Sequence, residues 1–198
     1  EYEALKRRIG EFAPSYAWTL IAGSLPLDVP KTAFFELGEQ AHLGGSKVAV
    51  DGDGEVQIEA LKLKPQLVKP NSAEASRLLG MDINGTDDAV FASRKLYEMI
   101  GGGERYALIS RGKDGAVLTC ADGSFVGESP RVEPKSTIGS GDSMIAGFLF
   151  ALSKSMKVDE CLRWGMAAGA ATALTDGSAI GDGETTRRLL SMAKVTSL

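Results

Sequence analysis

The stretch that decides the fold is Ser136-Thr137-Ile138-Gly139-Ser140-Gly141-Asp142-Ser143, which runs directly into the apolar segment 144–152. The apolar segment predicts a buried helix, and the stretch before it predicts the start of that helix. Small residues at Gly139, Ser140 and Gly141 let backbone N–H groups approach an anion closely. The helix start adds free N–H donors and the positive end of a dipole. The stretch therefore predicts a cradle for phosphate oxygens, with Asp142 placed to take a proton from an attacking hydroxyl.

A structural interpretation of the same stretch stays open at this point. A glycine-rich turn, followed by an acidic residue that stabilises the first helical turn, accounts for the motif without any ligand. One Gly-x-Gly-Asp motif does not decide between the two interpretations.

Upstream of this stretch, strand-like and helix-like segments alternate along the chain. This order predicts an α/β fold with a mostly parallel central sheet and helices on both faces, which makes three layers, αβα. The predicted strands are 16–22, 47–50, 66–68 and 106–109, with 115–119 as the hairpin partner of the last. Leu5, Ile9 and Phe12 have helical spacing, and the further predicted helices are 31–43, 72–79, 87–100, 142–153, 158–174 and 184–194.

Polar or glycine-rich residues follow each of the four main predicted strands. In a parallel sheet, ligands bind at the carboxyl ends of the strands, so we expect these residues at one edge. They are Gly23-Ser24, Asp51-Gly52, Lys69-Pro70-Asn71 and Ser110-Arg111-Gly112.

Asn71 and Glu74 have the spacing of a helix N-cap and its third residue, so a capping box explains both without a ligand. The functional interpretation places them around Mg²⁺, an ion that keeps most of its waters and takes few carboxylates. Asp51 is a second candidate for the same ion, or an ordinary turn residue at a strand end.

Three other segments also allow two interpretations. Residues 110–115 are either a hairpin turn or a loop that covers phosphates and a ribose. Ser24 either ends a strand or offers its hydroxyl to a second phosphate. Residues 172–177, with Ala179 beyond them, have backbone carbonyls that suit a cation, although their composition does not require one. Met166 has helical spacing with neighbouring apolar residues and is typical of a core position.

Composition excludes several classes of protein. A net charge of −4 and a pI of about 5.2 disfavour a nucleic acid or an anionic membrane as the main partner. Cys120 and Cys161 are far apart in no metal-binding spacing, so we expect reduced, structural cysteines in a cytoplasmic protein. The single His42 excludes a polyhistidine metal centre. No segment is long and apolar enough for a membrane span, and 198 residues predict one domain over 1–198.

These motifs, taken together, resemble the pfkB sugar kinases of the ribokinase-like superfamily. Residues 136–148 resemble the C-terminal signature of that family, and Lys69-Pro70-Asn71-x-x-Glu74 resembles its Asn-x-x-Glu magnesium motif. Four further segments resemble the family in the same order, so the match spans nearly the whole chain. They are 23–26, 50–55, 110–116 and 167–172. The subgroup that the chain resembles phosphorylates hexose phosphates: minor-type 6-phosphofructokinase, 1-phosphofructokinase and tagatose-6-phosphate kinase.

The resemblance implies a role for each candidate residue. Asp142 would be the catalytic base, with Gly139, Ser140 and Gly141 as the anion hole. Asn71 and Glu74 would organise Mg²⁺ and ATP, with Asp51 nearby. Ser24 would touch the phosphate of the sugar. The nucleotide site would be lined by Lys69, Asn71, Ser110, Gly112 and Gly115, with Met166 and Ala170 near the base. A monovalent cation, usually potassium, would be held around Ser136, Ile138, Thr175, Gly177 and Ala179.

The sequence departs from the family pattern in two ways. Arg111 stands where these kinases usually have an apolar residue. Family members are also longer, so we expect that the N-terminal strands of the sheet and the lid that often forms a homodimer lie outside this sequence. A nucleotide-binding protein that does not catalyse transfer, or one that needs a partner for the sugar site, is therefore the alternative to a sugar-phosphate kinase. A Rossmann dinucleotide enzyme is disfavoured, because no Gly-x-Gly-x-x-Gly follows the first strand.

Overall fold

The computed structural model describes all residues, 1–198, and divides them into two compact units, Glu1–Leu108 and Ile109–Leu198. Seven strands form one sheet in the order of the chain, β1 to β7. The α/β class with a mixed, mostly parallel sheet is therefore confirmed. Whether the chain acts as a single domain stays a prediction.

The first unit alternates helices and strands, and strand β4 continues from it into the second unit. Its elements are α1 (Tyr2–Phe12), β1 (Trp18–Ala22), α2 (Ala33–Leu43), β2 (Lys47–Asp51), α3 (Gly54–Leu61), β3 (Leu67–Val68), α4 (Ser72–Leu79), α5 (Thr86–Met99) and β4 (Tyr106–Ser110). Each of the neighbouring pairs β1/β2, β2/β3 and β3/β4 is parallel. The core of strand β2 is fully buried, as expected where helices cover a parallel sheet.

The second unit is antiparallel in its strands and dominated by one helix pair. Its elements are β5 (Ala116–Cys120), β6 (Gly123–Glu128), α6 (Ser140–Ser153), α7 (Val158–Ala173), α8 (Gly183–Leu189) and β7 (Lys194–Ser197). Strand β6 pairs antiparallel with both β5 and β7. None of the helices in the structure combines the length and the apolar character that a bilayer crossing requires.

Helices α6 and α7 approach each other closely because glycines lie at their contact. A Cβ atom at Gly147 would lie 2.7 Å from the carbonyl oxygen of Trp164, and one at Gly165 would lie 2.9 Å from that of Met144. Toward the start of α6, a Cβ at Gly169 would lie 3.0 Å from the carbonyl oxygen of Ser140. Helix α7 therefore fixes the position of the first turn of α6, where the phosphate cradle is predicted.

The structure differs from the sequence-based prediction at α3, at β6 and at the segment from α8 to β7. Helix α3 was not predicted, because the buried Gln57 interrupts its apolar period. Strand β6 contains two glycines, which weaken a strand signal. The helix predicted over 184–194 is too long, since α8 ends at Leu189 and a 3₁₀ turn leads into the mostly exposed strand β7.

Both cysteines are free and buried, as the sequence predicted for structural residues. Burial raises the pKa of the Cys161 thiol to about 11 and also raises the pKa of Cys120. Both thiols are therefore protonated near neutral pH and weakly nucleophilic.

Candidate functional site

In the first unit, the carboxyl ends of three parallel strands carry the predicted residues. Ala22 and Asp51, the last residues of β1 and β2, are register partners. The N–H of Gly23 donates to the carbonyl oxygen of Asp51 at 3.0 Å, which starts the loop that carries the exposed Ser24. Lys69 continues the same ladder, since its N–H donates to the carbonyl oxygen of Val50 at 3.0 Å. The predicted convergence at one sheet edge is thus present for these three segments.

Lys69 and Asp51 form an ion pair at this edge. The Lys69 ammonium nitrogen lies 2.9 Å from Oδ2 of Asp51. A buried ammonium requires such a partner, because the cost of desolvating an unpaired charge is large. Each of these two candidate ligand-binding groups therefore has a role in the structure before any ligand is considered.

Asn71 and Glu74 form a complete capping box at the start of α4. The Asn71 N–H donates to Oε2 of Glu74 at 2.7 Å, and the Glu74 N–H donates to Oδ1 of Asn71 at 3.0 Å. The structural interpretation of this motif is therefore confirmed. It does not exclude the functional one, because Oε1 of Glu74 accepts no hydrogen bond and a carboxylate oxygen suits Mg²⁺.

A second ion pair, between Asp53 and Arg77, lies near Asp51 and Glu74 in the sequence and links α3 to α4. Asp53 accepts a hydrogen bond from the N–H of Gly54 at 2.7 Å, which caps α3. Its other oxygen accepts from the guanidinium of Arg77 on α4 at 2.8 Å, and this bond lowers the pKa of Asp53. Arg77 thus ties the segment after β2 to the helix that carries Glu74. No sequence pattern indicated this link, since the two residues are 24 positions apart.

In the second unit, the loop after β4 is a tight turn. Residues Gly112–Asp114 form a 3₁₀ turn, and the N–H of Arg111 donates to the carbonyl oxygen of Gly115 at 2.8 Å. A Cβ at Gly115 would lie 1.9 Å from the carbonyl oxygen of Gly127 on β6. Packing alone therefore requires glycine at 115. The nucleotide contacts of Ser110, Gly112 and Gly115 stay predictions.

The segment predicted to cradle a phosphate forms the turn into α6, and phosphate binding there stays a prediction. Gly139 precedes α6 with a φ of +74°, a conformation that favours glycine. The N–H groups of Gly141 and Asp142 have no backbone acceptor, and the Asp142 side chain is exposed in the first turn. The hydroxyl oxygen of Ser140 is buried and makes no hydrogen bond. Free N–H donors at a helix start fit a phosphate group, and the exposed carboxylate beside them could accept a proton.

The five residues predicted around a monovalent cation lie on two segments that contact each other. The Ser136 hydroxyl donates to the carbonyl oxygen of Gly177 at 2.6 Å and accepts from the N–H of Ile138 at 3.2 Å. The Thr175 hydroxyl contacts the carbonyl oxygen of Ala179. The carbonyl of Gly177, a predicted cation ligand, therefore already accepts from a hydroxyl. The carbonyl of Ala179 shares the Thr175 hydroxyl with the carbonyl of Thr172, and cation binding stays a prediction.

Met166 and Ala170 lie in the core of the second unit. Met166 is 3% exposed, and a Cβ at Gly127 would lie 2.6 Å from its sulfur. Ala170 is 6% exposed in an apolar cluster with Leu189. The core interpretation accounts for both residues, and their place near an adenine base stays a prediction.

The structure contains no group of three or more His, Cys, Asp or Glu side chains that could hold a metal ion by themselves.

Comparison with known proteins connects these features to one family. The model of the pfkB family of carbohydrate kinases matches residues 12–185 of this chain. The match covers both the capping-box motif of α4 and the glycine-rich start of α6.

Two related enzymes and one solved structure point to the same family. The chain is 32% identical over 179 residues to 1-phosphofructokinase of Bacillus subtilis (strain 168), covering 90% of this chain and 57% of the relative. It is 30% identical over 190 residues to ATP-dependent 6-phosphofructokinase isozyme 2 of Escherichia coli (strain K12), covering 96% and 60%. The structure resembles phosphofructokinase-2 from Escherichia coli in complex with potassium, with a TM-score of 0.85, 28% identity and coverage of 96% and 61%. The chain thus spans less than two thirds of each.

Proposed function

We propose that this chain, which belongs to the pfkB family of carbohydrate kinases, transfers the γ-phosphoryl group of ATP to a hydroxyl of a phosphorylated ketohexose. The observation that carries the proposal is the exposed carboxylate of Asp142 in a helix turn whose neighbouring N–H groups have no backbone acceptor. A proton acceptor beside an anion-binding turn is the combination that phosphoryl transfer requires.

In this proposal, Asp142 accepts the proton of the attacking sugar hydroxyl as the hydroxyl approaches the phosphorus in line. Gly139, Ser140 and Gly141 would form the anion hole that stabilises the charge developing on the transferred group. The N–H of Ser140 donates to the carbonyl oxygen of Thr137 at 3.2 Å, so the N–H groups of Gly139 and Gly141 would be the donors. The closely packed α7 keeps this turn in position, so little reorganisation is needed when charge develops.

The remaining candidates would bind the nucleotide and its ion. Glu74 would offer its free oxygen to magnesium or to a water of its shell, with Asn71 and Asp51 as the other candidates for the same ion. When magnesium is bound, it neutralises part of the charge of the phosphates. Lys69, Ser110, Gly112 and Gly115 would line the nucleotide, and the loops around Ser136 and Thr175 would hold potassium, an ion named in the related structure.

The sugar class rests on the names of the relatives, 1-phosphofructokinase and 6-phosphofructokinase. Fructose 1-phosphate, fructose 6-phosphate and tagatose 6-phosphate are therefore the acceptors to test. Ser24, exposed after β1, would contact the phosphate that the sugar already carries. The resemblance implies a homodimer where the lid is present, and the proposal includes a homodimer on that condition.

The test measures ADP release from Mg-ATP in potassium buffer with each acceptor and with free fructose. Asp142→Asn should lower kcat by about 10²–10⁴-fold, because a general base is lost, while ATP affinity stays nearly constant. Asp87→Asn is the matched control, since Asp87 is also an acidic residue in the first turn of a helix, α5. Near-native turnover of Asp142→Asn would overturn the assignment of the base.

The alternative function is nucleotide binding without transfer by this chain alone. The chain spans 57% and 60% of the length of the two related kinases, so the activity of this chain alone is what the test decides. ATP binding without turnover on any acceptor would support this alternative. Acceptor-dependent turnover would exclude it.

A further inference from the structure

We propose that Thr172 is a positioning residue that fastens the loop 174–181 to the first turn of α6, next to Asp142. This inference rests on the proposed function, because Thr172 would hold in place the proposed base, Asp142, and the loop proposed to bind a cation. Thr172 is the penultimate residue of α7 and is 1% exposed, so it would act through its neighbours and not by touching a substrate.

The hydroxyl of Thr172 connects two parts of the chain that are far apart in sequence. It donates to the hydroxyl oxygen of Ser143 at 2.7 Å and accepts from the N–H of Gly181 at 3.0 Å. Ser143 directly follows Asp142 in the first turn of α6 and is 8% exposed. One buried side chain therefore holds the helix turn on one side and the far end of the loop on the other.

The near end of the same loop is fastened to the backbone of Thr172. Its carbonyl oxygen accepts from the N–H of Thr175 at 3.0 Å. The single proton of the Thr175 hydroxyl is shared between this carbonyl oxygen, at 2.7 Å, and that of Ala179. Residues 174–181, which include Thr175, Gly177 and Ala179, thus begin and end at one residue. These three residues are the ones on this loop that the sequence predicted around a monovalent cation.

Close packing shows that this arrangement has little room to shift. A Cβ at Gly181 would lie 2.5 Å from the carbonyl carbon of Ala171 and 2.6 Å from the nitrogen of Thr172. On the other side, a Cβ at Gly139 would lie 3.8 Å from Cγ2 of Thr172. The methyl and the hydroxyl of Thr172 therefore lie beneath both the loop and the predicted phosphate cradle.

Removing the hydroxyl would affect the two sides together. The hydroxyl of Ser143 would lose its partner in a buried place, and the N–H of Gly181 would lose its partner in a partly buried one. Shielded polar groups without partners are costly. Removing only the Ser143 hydroxyl would release the turn of α6 but leave Gly181 bonded to Thr172. The Thr172 variant should therefore loosen both segments and the Ser143 variant only one. A general loss of stability would not produce this difference.

The test is hydrogen exchange of the chain, read in peptides covering 139–143 and 176–182. Thr172→Val should speed exchange in both segments by about tenfold, as expected for a lost buried hydrogen bond. Ser143→Ala should speed exchange in the first segment only. Thr172→Ser, which keeps the hydroxyl, should resemble the original chain in both segments.

Measurements of kcat and of the KM for ATP distinguish a positioning role from a purely structural one. We expect Thr172→Val to lower kcat on the order of tenfold, because misplacement of the base slows transfer, while the KM for ATP changes little. Thr172→Ser should restore kcat. Loss of the potassium response together with kcat would be a further supporting result.

Three results would overturn the inference: unchanged exchange in Thr172→Val, equal loosening of both segments in Ser143→Ala, or failure of Thr172→Ser to restore the original exchange. If Thr172→Val does not fold, the Ser143→Ala and Thr172→Ser comparison still decides between the outcomes. The exchange experiment needs no turnover. A chain that transfers no phosphoryl group would therefore contradict the proposed function, while the exchange data would still test the fastening by Thr172.

Discussion

The Lys69 ammonium nitrogen lies 2.9 Å from a carboxylate oxygen of Asp51, where the two side chains are only 4% and 15% exposed. The pair joins the end of β2 to the segment after β3, at the sheet edge that carries the proposed magnesium and nucleotide residues. A pair so shielded from water cannot lose one member without leaving a buried charge, so both residues have a structural role in addition to any ligand contact.

We predict that Asp51→Ala lowers the free energy of unfolding by about 3 kcal/mol, because it leaves the Lys69 ammonium unpaired. The double variant Asp51→Ala/Lys69→Met should recover much of this loss, since the buried charge is then gone. Urea unfolding measures both values. Glu55→Ala is the matched control, because the exposed Lys31–Glu55 pair should contribute about 0.5 kcal/mol or less. Equal losses in the single and double variants would contradict the explanation.

The capping box at Asn71 and Glu74 predicts a separation between helix capping and metal binding. In Glu74→Gln, the amide oxygen still accepts from the Asn71 N–H, so the box is kept while the negative charge is lost. We expect near-native stability but at least about tenfold weaker magnesium-dependent ATP binding, as one charged ligand is removed.

Glu74→Ala should show the same loss of binding together with destabilisation of about 1 kcal/mol, because the cap is broken as well. Calorimetric titration of ATP with and without magnesium, combined with thermal unfolding, measures both effects. If Glu74→Gln binds Mg-ATP as tightly as the original chain, Glu74 serves only as a cap.

The sequence predicted the parallel half of the sheet and the start of α6 well, for a physical reason. Buried parallel strands are short apolar runs that end in polar turns, and the Gly139–Asp142 segment combines a left-handed glycine with a helix start. Both signals lie within a few neighbouring residues. Pattern analysis can find local signals of this kind.

Features that depend on contacts between distant segments could not be predicted in the same way. The need for glycine at 115 comes from the backbone of Gly127, and the role of Thr172 comes from Ser143 and Gly181. For Asn71 and Glu74, the motif allowed a cap or a metal ligand, and only the side-chain geometry showed that the cap is formed.

Gln57 predicts a stabilising substitution. Its side chain is 1% exposed on α3, and neither its amide nitrogen nor its amide oxygen makes a hydrogen bond. Gln57→Leu removes two unpaired polar groups at similar volume, so we expect the free energy of unfolding to rise by about 1–2 kcal/mol. Thermal unfolding should shift upward by about 2–4 °C per kcal/mol for a chain of this size.

The control for Gln57 is a buried polar side chain with a partner. The Ser93 hydroxyl donates to the carbonyl oxygen of Ala107 at 2.9 Å, so Ser93→Ala should instead destabilise by about 1 kcal/mol. Opposite signs for the two substitutions are the expected result. Destabilisation by Gln57→Leu would show that the amide has a partner in solution, such as a buried water.

Glu36 predicts how acid acts on the contact between α1 and α2. Its carboxylate accepts from Lys6 at 2.8 Å, from Thr32 at 2.7 Å and from the Tyr2 hydroxyl at 3.0 Å. These bonds, that from Lys6 above all, lower the pKa of Glu36 to about 2. A lowered pKa in the folded chain means that the ionised form stabilises the fold. This contribution is complete above the unfolded pKa of about 4.3 and is lost as the pH falls toward 2.

We therefore expect the stability difference between the original chain and Glu36→Gln to stay constant from pH 8 to pH 6. It should shrink progressively between about pH 4.3 and the folded pKa of about 2. Glu39→Gln, an exposed residue of the same helix, is the control and should produce a much smaller change in that interval. Urea unfolding at a series of pH values measures both differences. A difference for Glu36→Gln that stays constant down to pH 2 would show that the charge of Glu36 does not stabilise this contact, because protonation would then leave the contact unchanged.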